Sequence, residues 1–427
     1  MTSIQTRLRR ARDELERHLH EGIMNFWTER GVDTTYGGYL TCFDEEGQLD
    51  RTDTDKYIVT QTRMIWGFSL FHILDPEDER YLAYARQGVD FFIDHFWDQA
   101  RGGWYWQVAR DGTLIDDGKV VYGQSFAIYA LAQYTLCTGD PRGLNYARRT
   151  FDLLQRYCVD VARGGYYENL EPDWTLSAAG FHAGDRKSLD IHMHLMECFT
   201  TLAAASGEAV HQRRLREVIN VILTHMVDWE HGCGGNQYDL DFNPLPAIAI
   251  RRTFNAEREG EAVGEPVDST SYGHNVELAW LLLRAAEVLG EPPEAYADAV
   301  KPLVDHALRY GLDEMHGGVY RDGPHDGPAL VKDKEFWQNA EAMVGFLDAY
   351  RLTADPAYVE AFELTWSFVR DHMINSALGE WRTLLSREGE TRVADLGTPW
   401  KACYHSGRAV YESIRCIDQI LMGGADE

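Results

Sequence analysis

Residues 81–136 read YLAYARQGVDFFIDHFWDQARGGWYWQVARDGTLIDDGKVVYGQSFAIYALAQYTL, and they contain the unit from which the rest of the chain is built. In its first part Leu82, Ala85, Val89, Phe92 and Phe96 recur at spacings of three and four, which is one apolar helix face with the charges turned away. Gly102-Gly103-Trp104 follows, then an extended stretch. The unit ends in Tyr122–Leu136, apolar nearly all round, the pattern of a helix buried on every side. Glycine supplies the backbone freedom for a tight hairpin between the two helices.

The same order recurs along the chain. Glycine followed by an aromatic appears at Gly37-Gly38-Tyr39, Gly164-Gly165-Tyr166, Gly234-Gly235 ahead of Tyr238, Gly317-Gly318 ahead of Tyr320, and Gly379 ahead of Trp381. The intervals of about 60 to 85 residues are the scale of a supersecondary repeat. Amphipathic segments precede the motifs at roughly 6–28, 140–158, 211–229, 293–310 and 356–374. Six half-exposed helices alternating with six buried ones predict an all-α fold, an (α/α)6 barrel with an inner ring inside an outer one. The competing arrangement is an open α-solenoid, which wants polar end caps and an extended concave face. One barrel over residues 1–427 makes a single catalytic domain, with 243–270 as a long loop at one mouth.

Composition narrows the function. Asp and Glu number 68 against 41 Lys and Arg, a formal charge of −27, which disfavours nucleic acid and anionic membrane as partners. The seven cysteines form no CxxC pair, and free thiols fit a reducing compartment. The first residues lack a signal-peptide apolar run and no stretch approaches a membrane span, so a cytoplasmic protein is expected, monomer or homodimer. No phosphate loop, nucleophile elbow, HExxH or EF-hand occurs, and nothing calls for a cofactor or a metal.

Near the start of every buried helix stand conspicuous polar residues: Arg63; Tyr122 and Gln124; Asp190 and His194; His274 and Glu277; Trp337 and Asn339; Trp400 and His405. Buried polar groups are costly unless paired or solvated. The same placement in six repeats predicts one wet pocket at one mouth. His274 and Glu277 are three apart and share a helical face, so the carboxylate can orient the imidazole as a general acid or base; the same spacing also suits a structural pair. His194 and Glu197 repeat that spacing. Arg63 reads either as a ligand for a sugar oxygen or as an ion-pair partner of Asp190 or Glu277. His192 reads as structural or surface, and the histidines outside the buried helices read as surface.

The segments DDGKVVYGQSFAIYAL (116–131), KSLDIHMHLME (187–197), SYGHNVELAWLL (271–282), KEFWQNAEAMVGFLDAY (334–350) and PWKACYHSGRAVYE (399–412) resemble the N-acylglucosamine 2-epimerase superfamily, and within it the cellobiose and mannose 2-epimerases. The resemblance implies an (α/α)6 barrel and cofactor-independent inversion at C2 of a small-molecule sugar. It implies His274 and His405 as acid and base, Glu277 as partner of the first, and His194 in ring opening and binding. Arg63 matches an arginine near the reacting oxygens, and Tyr122, Trp337 and Trp400 match sugar contacts. Asp190 replaces the usual Asn of the cellobiose epimerases, Phe336-Trp337 their frequent Trp pair, and Ser406 a common Asn. The first two stand where substrate is gripped, which leans the reading toward a monosaccharide. Two other chemistries suit the same residues: aldose–ketose isomerisation through the same enediolate, and inverting glycoside hydrolysis by Asp190 and Glu277. A sugar-binding protein without turnover is the non-enzymatic reading.

Overall fold

The computed structural model describes residues 3–253 and 267–423. Helix α1 (Ile4–Arg17) continues through a π-helical turn into α2 (Asn25–Arg30), and together they form the first outer rod. Then inner and outer helices alternate: α3 (Ile58–Leu74), α4 (Glu79–Phe96), α5 (Val121–Thr138), α6 (Pro141–Tyr157), α7 (Leu189–Ser206), α8 (Ala209–His225), α9 (Tyr272–Leu289), α10 (Ala297–His306), α11 (Phe336–Thr353), α12 (Pro356–Phe368) and α13 (Tyr404–Gly423). The odd-numbered helices from α3 onward pack side by side, and α13 returns to α3, so the inner ring closes. The result is an (α/α)6 barrel, and the solenoid reading is set aside by that closure.

The two rings follow from their side chains. Every residue of α3 from Ile58 to Phe71 is buried, because the helix meets neighbours on all sides. In α6 the buried residues are Gly143, Ala147, Thr150, Phe151 and Leu154, a single stripe laid against the inner ring. Inner helices pass to the next outer helix through two residues at α5–α6, α7–α8 and α11–α12, and through four at α3–α4. Gly139 and Gly207 end α5 and α7 in the left-handed conformation, and Asp140 caps α6 with Pro141 at its first position.

The hairpins at the other end are a second repeated device. Val32 bridges Tyr39, Trp97 bridges Trp104, Val159 bridges Tyr166, Leu312 bridges Val319 and Ile374 bridges Trp381. In the fourth repeat residues 227–228 pair with 233–234, and the left-handed glycine there is Gly232 rather than Gly234 or Gly235. A polar side chain of the inner helix clamps each of the first five hairpins. Gln61 holds Tyr39 through both its backbone groups, and Gln124 does the same for Trp104. His192 accepts from Tyr166 N, Asn275 from Gly234 N and Asn339 from Val319 N. Gln124 and Asn339, expected in the pocket, therefore serve the frame. Their amides satisfy buried backbone that would otherwise go unpaired. His211 on α8 and His306 on α10 are buried rather than at the surface. Of the connection 243–270, residues 254–266 lie outside the described residues. Among those described, no helix is long and apolar enough to cross a membrane.

Candidate active site

All six inner helices begin at the same mouth, and there they surround a cavity of about 210 Å³. Its wall includes Arg63, Tyr122, Asp190, His194, His274, Glu277, Phe336, Trp337, Trp400 and His405, so of the polar residues expected at the mouth only Gln124 and Asn339 lie outside it. Ala247, Ile248, Ile250, Arg252 and Thr253 close one side. They belong to the long connection, and Arg252 fixes that segment by gripping Asp116 through two hydrogen bonds of 2.8 and 2.6 Å.

Two of the histidines are held in opposite protonation states. His405 donates from Nδ1 to Glu341 Oε1 at 2.6 Å, which leaves Nε2 as a lone pair. Burial, and then the charges of Arg63 and Arg408, push its pKa well below the ordinary value. His194 lies between Asp190 Oδ1 at 3.3 Å and Glu197 Oε2 at 2.9 Å. Burial disfavours its charged form, but the two carboxylates outweigh burial and raise the pKa to about 10. At neutral pH the cavity therefore contains one neutral base and one fixed imidazolium. Asp190 also approaches His274 Nε2, at 3.7 Å. Trp337 has both His274 and His405 against it, with ring centroids 4.8 and 5.9 Å away.

Among the described residues Arg63 takes no carboxylate partner. It donates from Nη1 to the carbonyl of Trp400 and from Nη2 to Tyr122 Oη at 3.1 Å, and Nη2 lies 3.4 Å from His405 Nε2. Its charge is spent on neutral acceptors and remains available to an anion in the cavity.

The expected pair His274–Glu277 is absent. Glu277 Oε1 instead accepts from Arg408 Nη2 at 2.7 Å, because a buried carboxylate turns to the nearest permanent cation. Arg408 also meets Glu341 at 2.8 Å, Glu197 and the Tyr404 hydroxyl. Three carboxylates, with Glu277 of the cavity wall among them, thus share one guanidinium. Burial and the neighbouring Glu341 push Glu277 up to about 7. Sequence reasoning did not nominate Glu341 or Arg408. The signal was present: Glu341 is four residues after Trp337 and Arg408 three after His405, each on the same face one turn deeper. The ligand-type atoms of Glu277, Glu341 and His405 lie within 4.8 Å of one another, the spacing of a metal site. Arg408 already supplies the positive charge there.

The chain matches the family model of N-acylglucosamine 2-epimerase (GlcNAc 2-epimerase) over residues 38–409. It is 28% identical to a cellobiose 2-epimerase of Bacteroides fragilis over 407 residues, covering 94% of this chain and 98% of the relative. A D-mannose isomerase of Marinomonas mediterranea is 24% identical, with coverage of 94% and 97%. The solved cellobiose 2-epimerase of Spirochaeta thermophila superposes with a TM-score of 0.86 at 31% identity, covering 99% of this chain and 100% of the other. The twelve-helix barrel, the histidine-lined mouth and a match spanning most of the chain agree, and the protein belongs to the N-acylglucosamine 2-epimerase family of isomerases.

Proposed function

We propose that the protein inverts C2 of an aldose, either D-mannose and D-glucose or the reducing-end glucose of a cellobiose-type disaccharide, without a redox cofactor. The observation that carries this reading is the pair of imidazoles on Trp337, with His405 held as a free base beside Arg63. Once the ring opens, the C2 hydrogen is alpha to an aldehyde. His405 takes that proton through Nε2, and the electron pair moves onto the carbonyl oxygen as a cis-enediolate. Arg63, the His194 imidazolium and the amino ends of the inner helices all favour negative charge at that place. His274 returns a proton to C2 from the opposite face, and the two histidines exchange roles when the reaction runs backward. Hydrolysis by Asp190 and Glu277 is disfavoured because one is engaged by histidines and the other by Arg408.

The test is incubation with D-mannose, and separately with cellobiose, in D2O, followed by proton NMR. The expected product is the C2 epimer carrying deuterium at C2, and the sugar that reacts names the substrate size. A ketose product would retain the enediolate and replace epimerisation by isomerisation. Free glucose from cellobiose, or no exchange with either sugar, overturns the proposal.

A further inference from the structure

Four of the six repeats neutralise the aspartate at the head of the glycine hairpin in one way. A lysine two residues before the inner helix sets its ammonium 3.0 Å from the carboxylate: Lys56 on Asp33, Lys119 on Asp98, Lys187 on Asp160 and Lys334 on Asp313. In two of them an arginine from a neighbouring turn adds a second permanent cation, Arg110 on Asp33 and Arg387 on Asp313, each at 2.9 Å. The fourth repeat departs from this scheme at every position. Thr270 stands two residues before α9, in the place of the lysine. His325 follows strand 322–324 where Arg110 and Arg387 follow theirs, and its Nδ1 lies 2.8 Å from Asp228 Oδ2. His231 brings a second Nδ1 to the same oxygen at 2.7 Å. His306 Nε2 donates to the carbonyl of His325 at 2.8 Å, as Lys56 and Lys334 do to those of Arg110 and Arg387 at 2.7 and 2.8 Å. A joint held in those four repeats by permanent charges is held here by imidazoles, which ligate metals when deprotonated, as ammonium and guanidinium cannot.

We propose that Asp228, His231 and His325 bind one divalent transition-metal ion of the zinc type, through Oδ2 of the carboxylate and Nδ1 of each imidazole. The three ligating atoms lie within 4.8 Å of one another. Four-coordinate zinc with bonds of about 2.0–2.2 Å needs ligand separations of about 3.3–3.6 Å, so the two contacts open by about 0.5–0.9 Å to admit it. Two nitrogens and one oxygen select zinc, nickel or copper over magnesium and calcium. Glu230 and Asp326 add negative charge around the cluster. The His231 side chain is one-third exposed, which leaves a path for the ion and a water as fourth ligand.

The ion would lie outside the cavity and take no part in the proton transfers. It would tie the hairpin that leads to Asn236 and Gln237 to the end of the strand that begins at Asp322, next to Arg321, and all four of these residues line the cavity. Its role is to fasten one wall of the sugar pocket. This inference stands independently of the sugar chosen and of the histidine roles.

The test uses the full chain, freed of metal by chelator and dialysis. Zinc chloride is titrated by calorimetry and cobalt(II) by visible absorption. The expected result is one ion per chain, cobalt bands of four-coordinate geometry, and a higher melting temperature with zinc. His231→Ala and His325→Gln should lose the ion and the thermal gain while keeping the circular dichroism of the parent; His231→Ala removes a partly exposed side chain and so tests the site with little risk to folding. Absence of saturable uptake overturns the proposal. So does uptake unchanged in both variants, or uptake lost in His405→Ala and kept in His231→Ala.

Discussion

Arg63 and Asp190 set the protonation of the histidines from opposite sides. After burial, Arg63 is the largest cause of the depressed pKa of His405. On the proposed mechanism, Arg63→Met should lower kcat by about 10²–10³-fold, since the charge that would face the enediolate is gone. It should also move the acid limb of kcat/KM to higher pH, because a base with a higher pKa is protonated sooner on acidification. Asp190 acts in the other sense, holding a proton on His194 up to about pH 10. Asp190→Asn removes one of its two carboxylate partners, so the alkaline limb of kcat/KM should move to lower pH. The folded-state pKa of His194 is raised above its ordinary 6.5, so the stability it contributes is full below that value and is lost as pH rises toward 10. Chemical denaturation of parent and variant at pH 6 and pH 9.5 measures this, with the larger difference expected at pH 6.

At the scale of elements, the hairpin joints carry buried ion pairs whose removal has a definite cost. Lys119 and Asp98 have side chains 0% and 3% exposed. Lys119→Met leaves the aspartate charge buried and unpaired, which should cost about 3–5 kcal/mol in urea denaturation. The cavity residues stay in place, so activity per folded molecule should change far less than stability. The elements themselves were legible in the sequence, because the two helix classes bury different surfaces. Leu82 to Phe96 shows a stripe, whereas Tyr122 to Leu136 shows none. Candidate pocket residues were legible by repetition of place. What repetition could not separate is the direction of each side chain. Gln124 and Tyr122 are two apart on α5, yet one faces a hairpin and the other the cavity. Glu277 has the spacing to reach His274 but turns to Arg408, whose position comes from α13, far away in the chain. Local spacing holds no information about that cation.

On the whole molecule, the formal charge of −27 is spread along the chain and must be gathered onto one compact barrel. Self-repulsion then opposes folding, and counterions relieve it. The melting temperature should rise as sodium chloride increases from about 0.01 to 0.15 M, where the Debye length falls from about 30 to 8 Å. Uncharged sugars gain nothing from steering by such a field, so kcat/KM should stay flat over the same range. The barrel also separates two duties along most of the inner helices. Gln61 clamps a hairpin and Arg63 faces the cavity; Gln124 clamps and Tyr122 faces; His192 clamps and His194 faces; Asn275 clamps and His274 faces. Neighbouring positions therefore answer to different selective pressures. Lineages can exchange the residues that choose a sugar while the adjacent residues keep the ring assembled. A mutant library confined to the cavity-facing member of each pair should consequently be rich in folded proteins, and the scaffold is open to new substrates by drift or by design.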